Sequence, residues 1–370
     1  MAADTKSRLD GVELLRGLAI FFVLMNHVNM RLSSARIPYT RGLPVQLMNS
    51  LFWNGQEGVQ IFFAVSGFLI TSNSLRRWGK LSDVAPSRFY LLRFARIAPL
   101  LLLLLAVLSG LDLAHMKNFV VAPKTGGLGR ALLAALTFHI NVLEARRGYL
   151  PANWDILWSL SIEEMFYLFF PLVCKILGRG GLLIALLLMF VVLGPFGRTV
   201  LAQNNGTWKE YSYLGGMEAI ALGCLTAIAL DRKRWPSRHL ALSGLVLLAF
   251  SLCFTIEASR LGLERTGLKM TLVGIGTCLT IAAAGQTQWR SPRLLRPLAN
   301  LGQRSYEVYL THMFVVFAFF EWFLSAGKPM SAVAPLFIAV IVVAALLGEI
   351  VARFYSEPLN ARIRTLNSSR

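Results

Sequence analysis

The chain has 370 residues, 55% of them hydrophobic and only 15% charged, with a mean hydropathy of +0.58. This composition excludes an ordinary soluble domain and a disordered one; repeated apolar stretches of about 20 residues mark a polytopic membrane protein. The formal net charge of +18 does not point to nucleic acid, because basic loops of an apolar chain anchor on anionic lipid and set its orientation.

Ten spans are expected, at 13–32, 58–75, 97–114, 154–176, 181–197, 213–230, 238–256, 267–285, 305–324 and 332–352. The first is long and has no small-x-small cleavage site after it, so it is expected to stay as a span and not be removed as a signal peptide. It contains Arg16 and His27. They lie about three helical turns and roughly 16 Å apart on one face. Ionisable groups inside a bilayer are expensive, so this pair marks a functional site.

Between the second and third spans the chain is strongly basic, with Arg76, Arg77, Lys80, Arg88, Arg93 and Arg96. Pro99 suits the first turn of the third span. Segment 128–144 is apolar but short. If it crossed, every later loop would change sides, and most of the 37 Lys and Arg would no longer collect on one side. The positive-inside rule therefore makes it re-entrant or interfacial, with both termini cytoplasmic and the long 115–153 loop outside. Cys174, Cys224, Cys253 and Cys278 all fall in apolar segments and are expected to be buried packing residues; no metal or disulfide spacing is present. Residues Asn360 to Arg370 suggest a short solvated end. No internal repeat is visible, and 1–370 is expected to be one membrane-embedded all-α domain with no attached soluble domain.

Counted at 1.5 Å per residue, His27 lies about 21 Å from the cytoplasmic face. Glu163 and Glu164, in a span running the other way, lie about 14 Å from the outer face, a comparable depth. A carboxylate at that level can fix the imidazole tautomer and raise its basicity; the alternative is a polar network that only holds helices together. Arg93 and Arg96, three apart on one helix face, form with Arg16 a cytoplasmic cluster that can grip phosphates bidentately, or can simply anchor the protein. A ligand with phosphates at one end and a reactive group on a long arm matches both levels, and coenzyme A thioesters have that shape. Ser161 lacks a G-x-S-x-G elbow and suits hydrogen bonding better than nucleophilic attack. Tyr149, Trp154 and Trp158 fit an interfacial belt or a sugar-stacking surface. His115, His139 and His239 lie in or near loops and are expected to be ordinary.

These residues, in this order, resemble the acyltransferase 3 family of integral-membrane O-acyltransferases over nearly the whole chain, from Leu9 to Pro358. The Arg16–His27 spacing is similar to the family's first-span signature. Gly58-Val-Gln-Ile-Phe-Phe-Ala-Val-Ser-Gly67, Arg93-x-x-Arg96-Ile-x-Pro99, Trp158-Ser-Leu-Ser161-Ile-Glu163-Glu164, Tyr309-Leu-Thr-His312 and Glu357-Pro358 resemble its later motifs. Gln60 stands where many members have an acidic residue, and Thr311 and Met313 replace the aromatic neighbours common around the late histidine. The extra periplasmic hydrolase-like domain of some members is missing, so a stand-alone acyltransferase, or one that relies on a partner for later steps, is expected.

The resemblance implies transfer of an acyl group, most simply acetyl from acetyl-CoA, to a hydroxyl of a cell-surface glycan such as lipopolysaccharide or exopolysaccharide, or of its lipid-linked precursor. The setting is the bacterial inner membrane. His27 would be the general base, supported by Glu163 or Glu164, with direct transfer or an acyl-histidine intermediate. Arg16, Arg93, Arg96 and His312 would meet the donor; Ser161, Trp158 and Glu218 would meet the acceptor, although Glu218 suits a helix N-terminus equally well. No metal is required. Rival readings are a transporter or flippase of lipid-linked sugars, which predicts repeated halves with broken helices, a structural subunit indifferent to loss of Arg16 and His27, and acylation of a small molecule.

Overall fold

In the computed structural model, residues 10–179, 181–202, 205–287 and 289–366 are described; the last four residues of the predicted solvated end lie outside that range. The described residues form helices joined by short turns: α1 (Asp10–Ser34), α2 (Val45–Phe52), α3 (Gly55–Trp78), α4 (Pro86–Leu113), α5 (Gly127–Leu136), α6 (Ile140–Arg147), α7 (Leu157–Leu177), α8 (Leu182–Arg198), α9 (Gly206–Tyr211), α10 (Tyr213–Arg232), α11 (Ser237–Cys253), α12 (Thr255–Arg260), α13 (Leu268–Thr287), α14 (Arg296–Gln303), α15 (Ser305–Ser325), α16 (Val333–Val351) and α17 (Glu357–Leu366). The protein is an all-α membrane protein. Helices prevail because apolar spans must satisfy their backbone groups internally.

Each of the ten predicted spans overlaps a long helix, and that at 238–256 overlaps a second, short one. Seven stretches are long and apolar enough to cross a bilayer: α1, α3, α4, α9–α10, α13, α15 and the stretch from Met330 that contains α16. The other three are marginal in different ways. Helices α8 and α11 are apolar but have 17 residues each. Helix α7 has 21 residues but carries Glu163, Glu164 and Lys175. The predicted 238–256 span is broken at Phe254, whose φ of −110° and ψ of 52° separate α11 from α12.

Segment 128–144 contains two short helices. Helix α5 has 10 residues, about 15 Å, half a hydrocarbon core. Helix α6 turns Ile140, Asn141, Leu143 and Glu144 inward and packs on α7 and α9. Beyond Pro358 the chain continues as the last turns of α17, packed on α4. That corrects the expectation of a solvated end, because Arg304 hydrogen-bonds Glu357 and Glu349 and ties the helix to the starts and ends of its neighbours.

Side-chain ties define two faces. Asp10 accepts from the Ser291 N–H at 2.9 Å, and Gln286 accepts from the Trp235 N–H at 2.6 Å. With Arg304 and Glu349 these mark the proximal face, where α1 begins. On the distal face Asn54 donates to the Leu252 carbonyl at 2.9 Å, and Lys117 pairs with Glu321 at 2.9 Å. Small residues allow the helices to approach closely between the faces. A Cβ added to Gly67 would overlap the Ile220 carbonyl oxygen, and one on Gly223 that of Ala64, so α3 and α10 meet backbone to backbone. Cys174, Cys224 and Cys278 are buried there, whereas Cys253 is exposed, contrary to expectation, because α11 ends at it.

Candidate active site

His27 sits on α1, with Arg31 one turn beyond it towards the distal face. Its ring centroid is 5.0 Å from that of His312, with an interplanar angle of 57°. His312 is fully buried. Its Nδ1 lies 2.6 Å from the Tyr309 carbonyl oxygen. A carbonyl only accepts, so Nδ1 carries the proton and Nε2 keeps its lone pair. Among the described residues Nε2 has no partner. Tyr309 is held in turn: its hydroxyl donates to the Ile156 carbonyl at 3.0 Å and lies 2.7 Å from Ser159 Oγ. The guanidinium of Arg31 lies 4.9 Å from the centre of the Phe317 ring.

Among the described residues no hydrogen bond or ion pair joins Glu163 or Glu164 to His27. Glu163 accepts hydrogen bonds from Ser66 and Tyr167, and Arg93 lies over the Tyr167 ring at 4.0 Å. One carboxyl oxygen of Glu164 is buried without a partner. Depth counted from sequence starts α7 at Trp154 and sets all helix ends level. Residues 152–154 are instead a separate turn, and α7 begins at Leu157. His312 lies beside His27, with the ring centroids 5.0 Å apart.

Arg16 forms an ion pair with Glu13 at 3.2 Å and is within electrostatic reach of Arg96, Glu307 and Glu163. Further out, Arg364 on α17 is within reach of Arg96, Arg77, Arg88 and Arg93. None of these last five has a carboxylate at ion-pair distance among the described residues. The proximal face therefore gathers these guanidiniums within electrostatic reach of Arg364. Sequence reasoning found Arg16, Arg93 and Arg96 and missed Arg364, whose only signal was a basic residue inside a stretch taken for a solvated end.

On the distal side a cavity of about 340 Å³ is lined by residues of α3, α7, α10 and α13 and of the turns beside them, including Trp53, Asn54, Glu57, Gln60, Phe63, Trp158 and Lys269. Trp158, 5% exposed, stacks on Tyr211 at 4.0 Å, and Trp154 is fully buried, so neither belongs to a lipid-facing belt. Tyr149 alone of the three is exposed. Glu218 is sealed: it is fully buried, pairs with Arg198 and accepts from Thr271. Ser161 is also taken up. Its hydroxyl donates to the Leu157 carbonyl at 3.0 Å and accepts the Ile140 N–H at 3.2 Å. That joins α6 to α7 and leaves it outside the cavity lining.

A family model described as an acyltransferase domain matches residues 9–352. The chain belongs to this family. The matched region holds both histidines and every arginine of the proximal set except Arg364. Staphylococcus aureus O-acetyltransferase OatA is 22% identical over 96% of this chain and 57% of its own length. The peptidoglycan O-acetyltransferase OatA of Listeria monocytogenes is 24% identical over 83% of this chain and 49% of its own. The chain thus spans about half the length of the curated relatives it matches. No solved structure matches.

Proposed function

We propose that this acyltransferase-family protein is a bacterial inner-membrane O-acetyltransferase that acetylates a hydroxyl of a cell-envelope glycan. The observation that carries the reading is the ring contact of His27 with His312, whose Nε2 has no partner among the described residues, on the helix that also carries Arg16 three turns away. The proximal face is cytoplasmic in this reading, and its guanidiniums Arg96, Arg93 and Arg364, with Arg16 deeper, bind the phosphates of acetyl-CoA. The pantetheine arm then runs between helices to His27. His27 removes the proton of the acceptor hydroxyl as the oxygen attacks the thioester carbonyl. The C–O bond forms, the C–S bond breaks, and the proton passes to the departing thiolate, leaving free coenzyme A. Glu163, bonded by Ser66 and Tyr167, keeps Tyr167 under Arg93 and acts on the donor side. Support for a glycan acceptor comes from the relatives named as peptidoglycan O-acetyltransferases.

The test is mass spectrometry of envelope glycans from a deletion strain complemented with the wild type or with His27→Ala. Acetyl groups are expected to return only with the wild type, the variant losing about 100- to 10,000-fold in transfer while remaining in the membrane. Restoration by both proteins removes His27 from the chemistry.

A further inference from the structure

The distal cavity has features that its structural role does not use. Gln60 is 5% exposed and lines it, yet its amide nitrogen is buried with no hydrogen-bond partner among the described residues. An unmet buried donor costs about 1–3 kcal/mol, so it calls for an oxygen that the protein does not supply. The cationic groups in the wall are already neutralised. Lys269 pairs with Glu57 at 2.7 Å and Glu264 at 3.5 Å, and Arg198 pairs with Glu218. A phosphate or sulfate therefore finds no spare positive charge in the depth of the cavity; Lys209 and Glu210 on its exposed rim offset each other. An acyl chain would leave Gln60, Asn54 and the Glu57–Lys269 pair unmatched. What remains is a neutral, hydroxyl-rich ligand with apolar ring faces, for which Trp158 and the half-exposed Trp53 provide walls.

Size and position agree. At about 340 Å³ the cavity is at the small end of the range of about 300–1,000 Å³ for ligand sites. It adjoins a more open recess of about 510 Å³, with which it shares Asn49, Thr255 and Glu264, so a chain of linked units can run on from it. Two of the helices that wall it, α3 and α7, also carry Phe62 and Ser159, which meet Tyr309 at 6.1 Å and 2.7 Å, and Tyr309 meets His312 at 5.8 Å.

We infer that this cavity is the acceptor subsite and holds one uncharged pyranose unit of a glycan, with Gln60 donating to a ring substituent oxygen and the Glu57–Lys269 pair meeting its hydroxyls. The inference depends on the acyl-transfer reading for its chemistry but not for its binding. In the purified full-length protein, chitotetraose should quench tryptophan fluorescence saturably. Gln60→Leu, which keeps the volume and removes the donor, should raise both its Kd and the acceptor KM about tenfold, with the donor KM within about twofold. Gln60→Asn should recover part of the loss. Trp53→Ala, a change at an exposed position that folding tolerates, should weaken binding about threefold or more. Unaltered Kd and acceptor KM in Gln60→Leu and Trp53→Ala overturn the subsite and leave acyl transfer standing, as does a wild type that transfers acetyl but shows no quenching. Saturable, Gln60-dependent quenching without any acetyl transfer upholds the subsite and removes the proposed function.

Discussion

Glu144 shows what a membrane-edge site does to a carboxyl group. It is 1% exposed on α6 and accepts the Leu150 N–H at 2.9 Å. Burial, reinforced by the adjacent Asp155 carboxylate, raises its pKa well above the usual carboxylate range. A raised pKa means that the folded state holds its proton more tightly than the unfolded one. The associated stability is therefore complete below the unfolded value of about 4.3 and is lost as pH rises through the folded value. Thermal unfolding in detergent should consequently give a midpoint that falls from pH 5 towards pH 8. Glu144→Gln, which is neutral throughout, should flatten that slope; an unchanged slope places the titration elsewhere. The two histidines pose a different residue-scale question. His312 uses one nitrogen on Tyr309, and its other has no partner among the described residues; in the proposed reaction it walls and positions His27. His312→Asn, which can keep the bond to the Tyr309 carbonyl, should retain more transfer than His312→Ala, with the larger loss about 10- to 100-fold in kcat and a shifted pH–rate profile. Equal losses and an unmoved profile would reduce His312 to packing.

At the scale of helices, α3 and α10 meet through Gly67 and Gly223, where each added methyl would run into the opposite backbone. Backbone cannot yield as a side chain can, so Gly67→Ala should cost more than about 2 kcal/mol. The prediction is a lower thermal midpoint and a reduced folded yield, measured by fluorescence-detected size exclusion; wild-type behaviour would show that the two helices can separate. The sequence made these helices easy to see. Ten apolar runs stand out, and the Arg16–His27 spacing is visible because a single helix fixes it. The partner of His27 was not visible. Whether α7 or α15 supplies it depends on how far each helix slides along its axis, and a one-turn offset moves a side chain about 5.4 Å. Counting placed Glu163 at that level, but its bonds are to Ser66 and Tyr167. Similarly, nothing local distinguishes Glu218 facing a ligand from Glu218 sealed against Arg198, because that ion pair joins α8 to α10.

The whole molecule has a sidedness that a native cysteine can report. Cys253 is exposed where α11 ends on the distal face, while Cys174, Cys224 and Cys278 are buried. Lys and Arg crowd the proximal face between α3 and α4, which is cytoplasmic in the proposed reading. A membrane-impermeant maleimide added to intact spheroplasts should therefore label the wild type and not Cys253→Ser. Labelling only after lysis would invert the orientation and move the proposed donor site outside. Helices α8 and α11, at 17 residues each, add a different consequence. They are only about 26 Å long, shorter than a typical hydrocarbon core of about 30 Å. Spans that short are met by thinner lipid, by flanking residues that snorkel to the interface or by oligomerisation. The distal recess, with Asn49 and Thr255 in its wall, opens next to the end of α11. If both helices cross in the proposed orientation, thinning there would bring the bilayer surface down towards that entrance, and an acceptor carried on a lipid would have a shorter way into the recess.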